Sequence, residues 1–556
     1  MKKNWRKKFN KKTILGIIII LTVTLQQVFA RESENILLPD LTTEVQGDSK
    51  EKKPDIGEYT ADTNFNLPKM IEVEEEIIEE VEVTEEVKDT ISEPLPKRPI
   101  LFDGLVGVGF PGIIIEDLSV QNSSSENPNP FKIKFTHETS EGYFGKPFSN
   151  GFNDKMTLVY GEKRFTLNNF KIDIAGKIET NENGLQNFEP EITSFNQRAY
   201  NGKADFSWNL PKGFLLSTSF DGGFYNRFAD SLPNSTLPGW VENISVITLM
   251  PRFNISWQNE DAGVNAFFDA KYNYDKNKSK NFISEEKVLH RGEFKIGLSW
   301  ENDFVKLFAD AAAVIGTEIG DNKVIVPFKA GVTAHIPVSF SERNFDISAE
   351  GGLQSGKADI EKLETAYKFS LLNFIPSETS DWFGTLKIEI PVRSSFTATL
   401  LGEYKQTALG NGIWQPVYET AFCEKGGYKY AEVERTFVKT YEAFSYTYKI
   451  FTITAGWLSF WNFVPEGYGT QNVAVDLIFT GENNKWGAAL KSSFGIIAKD
   501  TVPKINLEGF VQVKPQVRIA VEVEDVIKLI KMSPRTYAGK YSSRSGTASV
   551  FVKINL

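Results

Sequence analysis

The side chains that most often carry chemistry in proteins are few in this chain, and they lie far apart. The three histidines, His137, His290 and His335, share no spacing typical of a metal site. The single cysteine, Cys423, can form neither an internal disulfide nor a cysteine-rich metal centre. The sequence contains no G-x-S-x-G elbow, no phosphate-binding loop and no run of metal ligands. We therefore predict no catalytic, cofactor-binding or metal-binding residues, and no enzyme.

Charged side chains are the other candidates for chemistry, and many of them occupy every second position of a segment. If the segments are strands, these side chains share one face, because successive residues of a strand point to opposite faces. Both signs of charge are present, so the face is either a solvated wall of mutually paired charges or a surface that binds or filters solutes. The residues concerned are Lys132, Lys134, Lys171, Asp173, Asp269, Lys271, Glu293, Lys295, Lys387, Glu389, Arg518, Glu522 and Glu524.

The segments that must position these charges alternate apolar and polar residues over about ten positions. Phe294, Ile296 and Leu298, for example, alternate with polar or small residues. Strands of a soluble β-sandwich are shorter, with about five or six residues. We therefore predict an all-β fold: a large antiparallel transmembrane β-barrel over residues 100–556, with about 16–22 strands. A soluble β-sandwich or β-solenoid is the alternative architecture.

The predicted strands are separated by polar, Gly- or Asn-bearing stretches such as Asp275–Asn281. Their predicted bounds are 130–138, 154–165, 169–179, 203–210, 213–224, 243–258, 262–274, 290–300, 303–315, 325–339, 344–354, 366–374, 382–392, 395–405, 447–461, 472–480, 485–497, 504–513, 516–524 and 547–556.

Residues 1–30 have the features of a secretory signal peptide. A basic stretch precedes the apolar segment Thr13–Leu25, and Val28 and Ala30 fit the small residues of a cleavage site. We predict removal near Ala30; a retained anchor helix is the alternative. No later stretch approaches the ~18 apolar residues of a helical span. Together with the alternating segments, the leader predicts the outer membrane of a Gram-negative envelope, where outer-membrane lipid and the barrel-assembly machinery are the expected partners.

Residues 31–99 differ from the rest of the chain and predict a disordered, acidic periplasmic arm. Residues 31–98 hold 20 acidic and 8 basic residues, and the stretch 71–87 consists largely of Glu and β-branched residues. Because like charges repel, this stretch is expected to stay extended. The remainder of the mature chain is nearly balanced in charge, so the acidic composition says little about solutes. Nothing indicates nucleic acid, which requires a basic patch.

Two stretches at the C-terminal end resemble TonB-dependent outer-membrane transporters. Arg518–Asp525 resembles the penultimate strand of those barrels, and Tyr541–Leu556 resembles their closing strand. Barrels of that group usually end in an aromatic residue, whereas this chain ends in Leu556. The residues that this resemblance assigns to the barrel-closing strand are Gly546, Val550, Val552, Ile554 and Leu556.

A third stretch, in the acidic arm, resembles the TonB box of those transporters. The resemblance implies that the arm adds a strand to a sheet edge of a TonB-type or other periplasmic protein, using backbone hydrogen bonds. A Glu-rich run also produces such a motif by chance. The residues of this segment are Glu79, Glu80, Val81, Glu82, Val83 and Thr84.

The chain departs from those transporters before its barrel, where a folded plug domain would be expected. Arg31–Ile100 spans 70 residues with Gly47 and Gly57 as its glycines, which is too short and too glycine-poor for a plug. The chain therefore resembles a plugless, TonB-receptor-like barrel. The resemblance implies a channel or transporter for small solutes. Without a plug, the lumen is expected to be open, filled by loops or occupied by another protein. Because an open pore of this size would make the envelope leaky, we expect a long loop such as Gln406–Glu442 to fold inward as a partial gate. The alternative is a structural barrel that anchors a periplasmic or surface partner.

Overall fold

The computed structural model describes most of the chain from residue 100 onward, and residues 1–99 lie outside the described part. The described residues are 100–122, 129–142, 153–186, 192–231, 244–279, 287–317, 324–338, 344–357, 359–366, 369–371, 378–393, 395–409, 413–416, 423–424, 427–433, 436–462, 469–481, 484–495, 502–531, 535–538, 541–543 and 546–556.

Long antiparallel strands make up nearly all of this part. They are β1 (Leu101–Phe110), β2 (Ile113–Asn122), β3 (Phe131–Glu141), β4 (Asn153–Leu167), β5 (Phe170–Gly184), β6 (Ile192–Asn209), β7 (Phe214–Ser231), β8 (Ile244–Asn259), β9 (Val264–Ser279), β10 (Lys287–Glu301), β11 (Val305–Gly316), β12 (Phe328–Pro337), β13 (Asn344–Lys357), β14 (Glu378–Arg393), β15 (Phe396–Leu409), β16 (Thr436–Tyr448), β17 (Phe451–Phe460), β18 (Gln471–Thr480), β19 (Trp486–Gly495), β20 (Lys504–Lys514), β21 (Val517–Glu524) and β22 (Thr547–Asn555).

Each strand pairs with its neighbours in sequence, and the last strand returns to the first. β22 pairs with β21 on one side and with β1 on the other, from Asp103 opposite Asn555 to Phe110 opposite Ala548. The sheet is therefore a closed antiparallel barrel of 22 strands, which confirms the predicted fold class. Closure leaves no unpaired strand edge in the wall, as a bilayer requires.

Shorter elements lie between the strands. Helix α1 is Ile360–Ala366, helix α2 is Val526–Lys531, and Pro211–Gly213 forms a single 3-10 turn. The short strands are Val324–Ile325, Ser370–Leu371, Ile413–Pro416, Cys423–Glu424, Gly427–Val433, Arg535–Ala538 and Tyr541–Ser543. Within the described part of the chain, no helix is long and apolar enough to cross a membrane.

Several of the predicted strand bounds are wrong. The prediction of a strand over 366–374 fails, because α1 ends at Ala366 and Ser370–Leu371 is a short strand outside the wall. The single strand predicted over 447–461 is the end of β16 and the whole of β17, separated by Lys449 and Ile450. The strand predicted over 203–210 is the last part of the longer β6.

The two faces of the wall differ in the way that alternation requires. On β10, Phe294, Ile296 and Leu298 are 49%, 61% and 57% exposed, whereas Glu293 and Lys295 form ion pairs on the opposite face. The same separation recurs along the other strands, with exposed large apolar side chains on one face. An apolar outer band and a polar interior are the features of an outer-membrane barrel.

The two ends of the barrel differ in the length of their connections. The end that holds Leu101 and Leu556 has tight turns, such as 168–169, 449–450 and 515–516. In the turn after β8, Gly263 has φ +64°, and a Cβ there would lie 1.9 Å from the Glu301 carbonyl oxygen, so glycine is required. The opposite end carries the longest connections, 358–377, 410–435 and 525–546. Outer-membrane barrels have short periplasmic turns and long extracellular loops, which orients this barrel.

Candidate functional site

The inner wall of the barrel is lined by charges that are largely paired with one another. Predicted wall residues in ion pairs are Lys134 with Asp117 at 2.9 Å, Asp173 with Arg164 at 2.6 Å, Lys295 with Asp310 at 3.1 Å, and Lys387 with Glu389 at 2.5 Å. Asp269 pairs with Arg252, and the Arg518 guanidinium lies 4.2 Å from the Phe510 ring centre. The geometry favours a wall of mutual pairs over a single concentrated binding patch.

The histidines and the cysteine lie apart in the structure as well as in the sequence. His137 contacts Thr157 at 2.8 Å, His290 contacts Tyr272 at 2.6 Å, and His335 contacts Asp346 at 2.7 Å, each on its own stretch of wall. Cys423 lies in the short strand Cys423–Glu424, in the connection between β15 and β16. Among the described residues, no group of three or more His, Cys, Asp or Glu is arranged to hold a metal ion.

The connection between β13 and β14 enters the barrel. We call residues 358–377 the crossing loop; residues 359–366 and 369–371 of it are described. Its base is tied to other strands of the wall, since Lys357 lies 2.5 Å from Asp275 on β9 and Arg291 on β10 lies 2.9 Å from Glu378. These two ion pairs connect the extracellular end of the β13–β14 hairpin to β9 and β10.

Helix α1 of the crossing loop packs against the inner face of β6, β7 and β8. Asp359 caps its start by accepting a hydrogen bond from the Glu361 amide at 2.9 Å. Ile360 and Leu363, three positions apart and so on one face of the helix, contact a buried apolar patch of the wall. The wall residues of this patch are Ala199, Tyr225, Ile244 and Val246. They lie inside, because they alternate with outward-facing residues such as Tyr200, Phe224 and Ile247.

Glu364, on the same face of α1, is held by polar side chains of the wall. The Tyr225 hydroxyl donates to a carboxylate oxygen of Glu364 at 2.7 Å, and Gln197 donates to the Glu364 backbone carbonyl at 3.1 Å. Arg227 faces the same carboxylate through Nε at 3.3 Å. The side chains of Arg227 and Glu364 are each only 1% exposed, so the pair is buried.

Burial also changes the acidity of α1. Burial raises the pKa of the Glu361 carboxyl above its ordinary value, against the opposing attraction of Lys177. Lys177, on the neighbouring β5, lies 3.9 Å from Glu361. The docked helix therefore carries one carboxyl that accepts a proton more readily than an exposed glutamate does.

The far end of the crossing loop meets two other extracellular loops in an aromatic cluster. Phe369 stacks on Tyr541 with ring centres 3.9 Å apart, and Tyr428 meets Tyr541 edge-on at 6.1 Å. The Tyr428 amide also donates to the Phe369 carbonyl at 2.8 Å. All three side chains are buried. The crossing loop therefore extends from the wall of β6–β8 to the loops that follow β15 and β21, across the extracellular half of the barrel.

The predicted inward segment Gln406–Glu442 was wrong in its bounds. Residues 406–409 belong to β15 and residues 436–442 to β16, so the connection is 410–435. Its described contact with the crossing loop is made by Tyr428. Sequence reasoning missed α1, although Asp359 followed by Ile360, Leu363 and Glu364 at helical spacing was a readable signal.

The other predicted site residues fall in two places. Gly546 directly precedes β22, and Val550, Val552 and Leu556 are exposed on one face of it and its end, with Ile554 partly exposed between them. The TonB-box-like residues Glu79–Thr84 lie outside the described residues, as do the predicted signal peptide and arm.

The apolar exterior, the charged interior and the closed 22-strand sheet define an outer-membrane β-barrel of transporter size. No protein-family model matches the chain, and no curated protein matches it.

Solved structures do match it. The FrpB iron transporter from Neisseria meningitidis superposes with a TM-score of 0.60, covering 83% of this chain and 82% of that chain at 8% identity. The copper transporter OprC gives 0.59, covering 82% and 80% at 10% identity. A variant of the ferric enterobactin receptor PfeA from Pseudomonas aeruginosa gives 0.59, covering 82% and 80% at 7% identity. These neighbours are TonB-dependent receptors, which confirms the predicted resemblance at the level of fold.

Proposed function

We propose that the chain is a plugless outer-membrane channel or transporter for small solutes, in which the crossing loop restricts passage. The observation that carries this proposal is the course of the crossing loop from the β6–β8 wall to the Phe369–Tyr428–Tyr541 cluster. A barrel with this many strands encloses a wide interior. A loop held across that interior by buried apolar and ionic contacts is expected where passage must be limited.

The fold neighbours support the same class of function. They are described as transporters of iron and copper and as a ferric enterobactin receptor. The paired charges of the inner wall support passage of hydrated solutes, because they keep the wall wet without a large field of one sign. The solute class proposed at this level is small and polar.

Planar-bilayer recording on the purified full-length protein tests the proposal. One variant replaces residues 359–371 with a short Gly-Ser linker, and a matched control replaces residues 233–242 of the β7–β8 connection with the same linker. We expect single-channel conductance to rise several-fold in the first variant and to stay at the wild-type value in the control. Silent bilayers for the wild type and for the trimmed variant, both folded, would contradict the proposal.

The second candidate is a structural barrel that anchors a partner, and the acidic arm favours it. The density of Glu in residues 71–87 suits a basic periplasmic partner, and Glu79–Thr84 suits strand addition to a TonB-type domain. A peptide of residues 68–92 should capture such a domain at low salt and release it as salt rises. A control peptide with Val81 and Val83 replaced by proline keeps the charge but lacks the backbone donors for strand addition. Equal capture of both peptides would indicate that the arm is a non-specific acidic spacer.

The remaining parts of the proposal concern targeting. We propose that the chain reaches the outer membrane after cleavage near Ala30 and is inserted by the barrel-assembly machinery. N-terminal sequencing of protein purified from outer membranes should begin close to Arg31. A mature protein that still begins at Met1 would indicate the retained anchor helix instead.

A further inference from the structure

The Glu364 carboxylate is held by polar side chains of the barrel wall. Three donors from two adjacent strands converge on it or on its backbone carbonyl: Arg227, Tyr225 and Gln197. The apolar side chains Ala199, Ile244 and Val246 surround the place where α1 rests. Each of these wall residues belongs to the barrel, so the site persists when the crossing loop moves away.

Glu364 does not pair with every hydrogen-bond donor of Arg227. Arg227 contacts the carboxylate through Nε alone, at 3.3 Å. Its Nη1 and Nη2 groups are buried and have no hydrogen-bond partner among the described residues. An arginine binds a carboxylate best through two parallel N–H bonds, and buried donors that lack a partner destabilise the arrangement that buries them. The docked loop therefore leaves unused donors that a better-placed carboxylate would satisfy.

We propose that Arg227, Tyr225 and Gln197 form a binding site for small carboxylate solutes, which Glu364 occupies from within the chain while the crossing loop is docked. This inference rests on the proposed function. It names the class of solute and the contact that regulates its passage. A solute carboxylate that takes both Nε and an Nη group of Arg227 displaces Glu364 and releases α1. Its short apolar body replaces Ile360 and Leu363 on the apolar patch.

The surrounding charges favour an anion once α1 has left the wall. Lys177 and Glu179 on β5, which face the crossing loop, lie 2.8 Å apart and neutralise each other. The acidic residues Asp359 and Glu361 belong to the crossing loop and leave with it. Arg227 then remains on the wall as a cation without its carboxylate, and its guanidinium can form paired, charge-assisted hydrogen bonds with an anion.

Binding of butyrate to the full-length protein, with neutral butyramide as the comparison, tests the site by calorimetry. A solute that competes with a docked segment gains apparent affinity when the segment is weakened, because the open fraction rises. We expect Glu364→Gln to tighten butyrate binding by about tenfold. Arg227→Gln should abolish binding, although it also frees the loop.

The matched control changes a charge to an amide at an exposed position of the same helix. Lys362 is exposed on α1. Lys362→Gln therefore introduces the same amide as Glu364→Gln without touching the Arg227 site. We expect it to leave butyrate binding at the wild-type value.

Release of α1 is measured separately by thiol labelling. In a Cys423→Ser background, Leu363→Cys places a thiol against the wall patch, where it should react slowly. Butyrate should accelerate labelling several-fold in a saturable manner, and butyramide should not. In the Arg227→Gln variant of this protein, labelling should be fast with or without butyrate.

Several outcomes would overturn the inference. Butyrate binding that is unchanged or weakened by Glu364→Gln would show that Glu364 does not compete for the site. Binding that survives Arg227→Gln would place the solute elsewhere. Acceleration of labelling by butyramide would show that the carboxylate is irrelevant. If bilayers are silent but butyrate still binds and still releases α1, the proposed channel is rejected and the carboxylate site is kept. If conductance rises when residues 359–371 are replaced but butyrate neither binds nor releases α1, the carboxylate site alone is rejected.

Discussion

At the scale of single residues, the extracellular loops are fixed by buried ion pairs. Asp525, directly after β21, is fully buried and accepts a hydrogen bond from Arg535 at 2.5 Å. The guanidinium of Arg535 also donates to the carbonyls of Val502 and Pro503 at 3.2 and 3.1 Å. One arginine thus joins the connection before β20 to the connection before β22, which carries Tyr541 of the aromatic cluster.

Removing one partner of this pair should destabilise the loop strongly. Arg535→Met leaves the Asp525 carboxylate buried without its cation, and breaking a buried pair in this way costs about 3–5 kcal/mol. We expect faster proteolytic cleavage within residues 525–546 while the barrel itself stays folded. The double variant Arg535→Met with Asp525→Leu removes both charges and should recover most of the protection. Equal cleavage in the wild type and the single variant would contradict this account.

Residue pairs of this kind are beyond what the sequence can predict. Arg227 and Glu364 lie 137 positions apart, and no local motif links the two. Tyr225 and Arg227 simply occupy the polar phase of a long strand, like the other wall residues on the inside. Their common role arises because one loop crosses the barrel, and periodicity contains no information about which loop that is.

At the scale of elements, the docking of α1 should depend on pH through Glu361. Burial raises the pKa of this carboxyl above 4.5, so the docked helix takes up a proton at a higher pH than the undocked helix does. Proton uptake on docking means that docking strengthens as pH falls from the raised pKa to 4.5, and that the gain vanishes above the raised pKa. The charged groups that face Glu361 are Lys177 and Glu179 on β5 and Asp359 on its own loop.

Channel conductance as a function of pH measures this effect. We expect conductance to fall on mild acidification in the wild type. Glu361→Gln should flatten the profile and hold the loop docked at neutral pH, because the amide carries no charge to bury. Lys362→Gln, which introduces the same amide at the exposed next position of α1, should keep the wild-type profile. A conductance that rises on mild acidification would show that another group controls the loop.

The strands themselves were largely predictable, and the exceptions have physical reasons. A period of two indicates that alternate residues meet lipid and water, as they do along β10. Register shifts on β6, β14 and β20 interrupt this pattern. The prediction of a wall strand over 366–374 is wrong because Phe369 is buried against other loops and not in the wall. The turn within 447–461 leaves no clear break in the sequence pattern, because large apolar or aromatic residues, Tyr448, Ile450 and Phe451, lie in and beside it.

At the scale of the whole molecule, closure depends on the last strand. β22 hydrogen-bonds to both β1 and β21, so its removal exposes two strand edges at once. Unpaired edges in lipid are costly, so deletion of Gly546–Leu556 should abolish the heat-modifiable, membrane-inserted form on gels. Deletion of residues 31–60 from the arm, as a control, should leave that form intact. Assembly of the C-terminal deletion at wild-type levels would show that β22 is dispensable.

The direction in which the barrel crosses the membrane follows from its two unequal ends. The tight turn at 449–450 lies at the end that holds Leu101 and Leu556, whereas residues 410–435 lie at the end with the long connections. Short turns face the periplasm in outer-membrane barrels, so the crossing loop faces the exterior and restricts entry from outside. An epitope inserted between Lys449 and Ile450 should therefore be hidden from antibody on intact cells and accessible after permeabilisation. The same epitope inserted within residues 417–422 should be accessible on intact cells. The reverse pattern would place the Glu364–Arg227 contact at the periplasmic end, where it would control exit rather than entry.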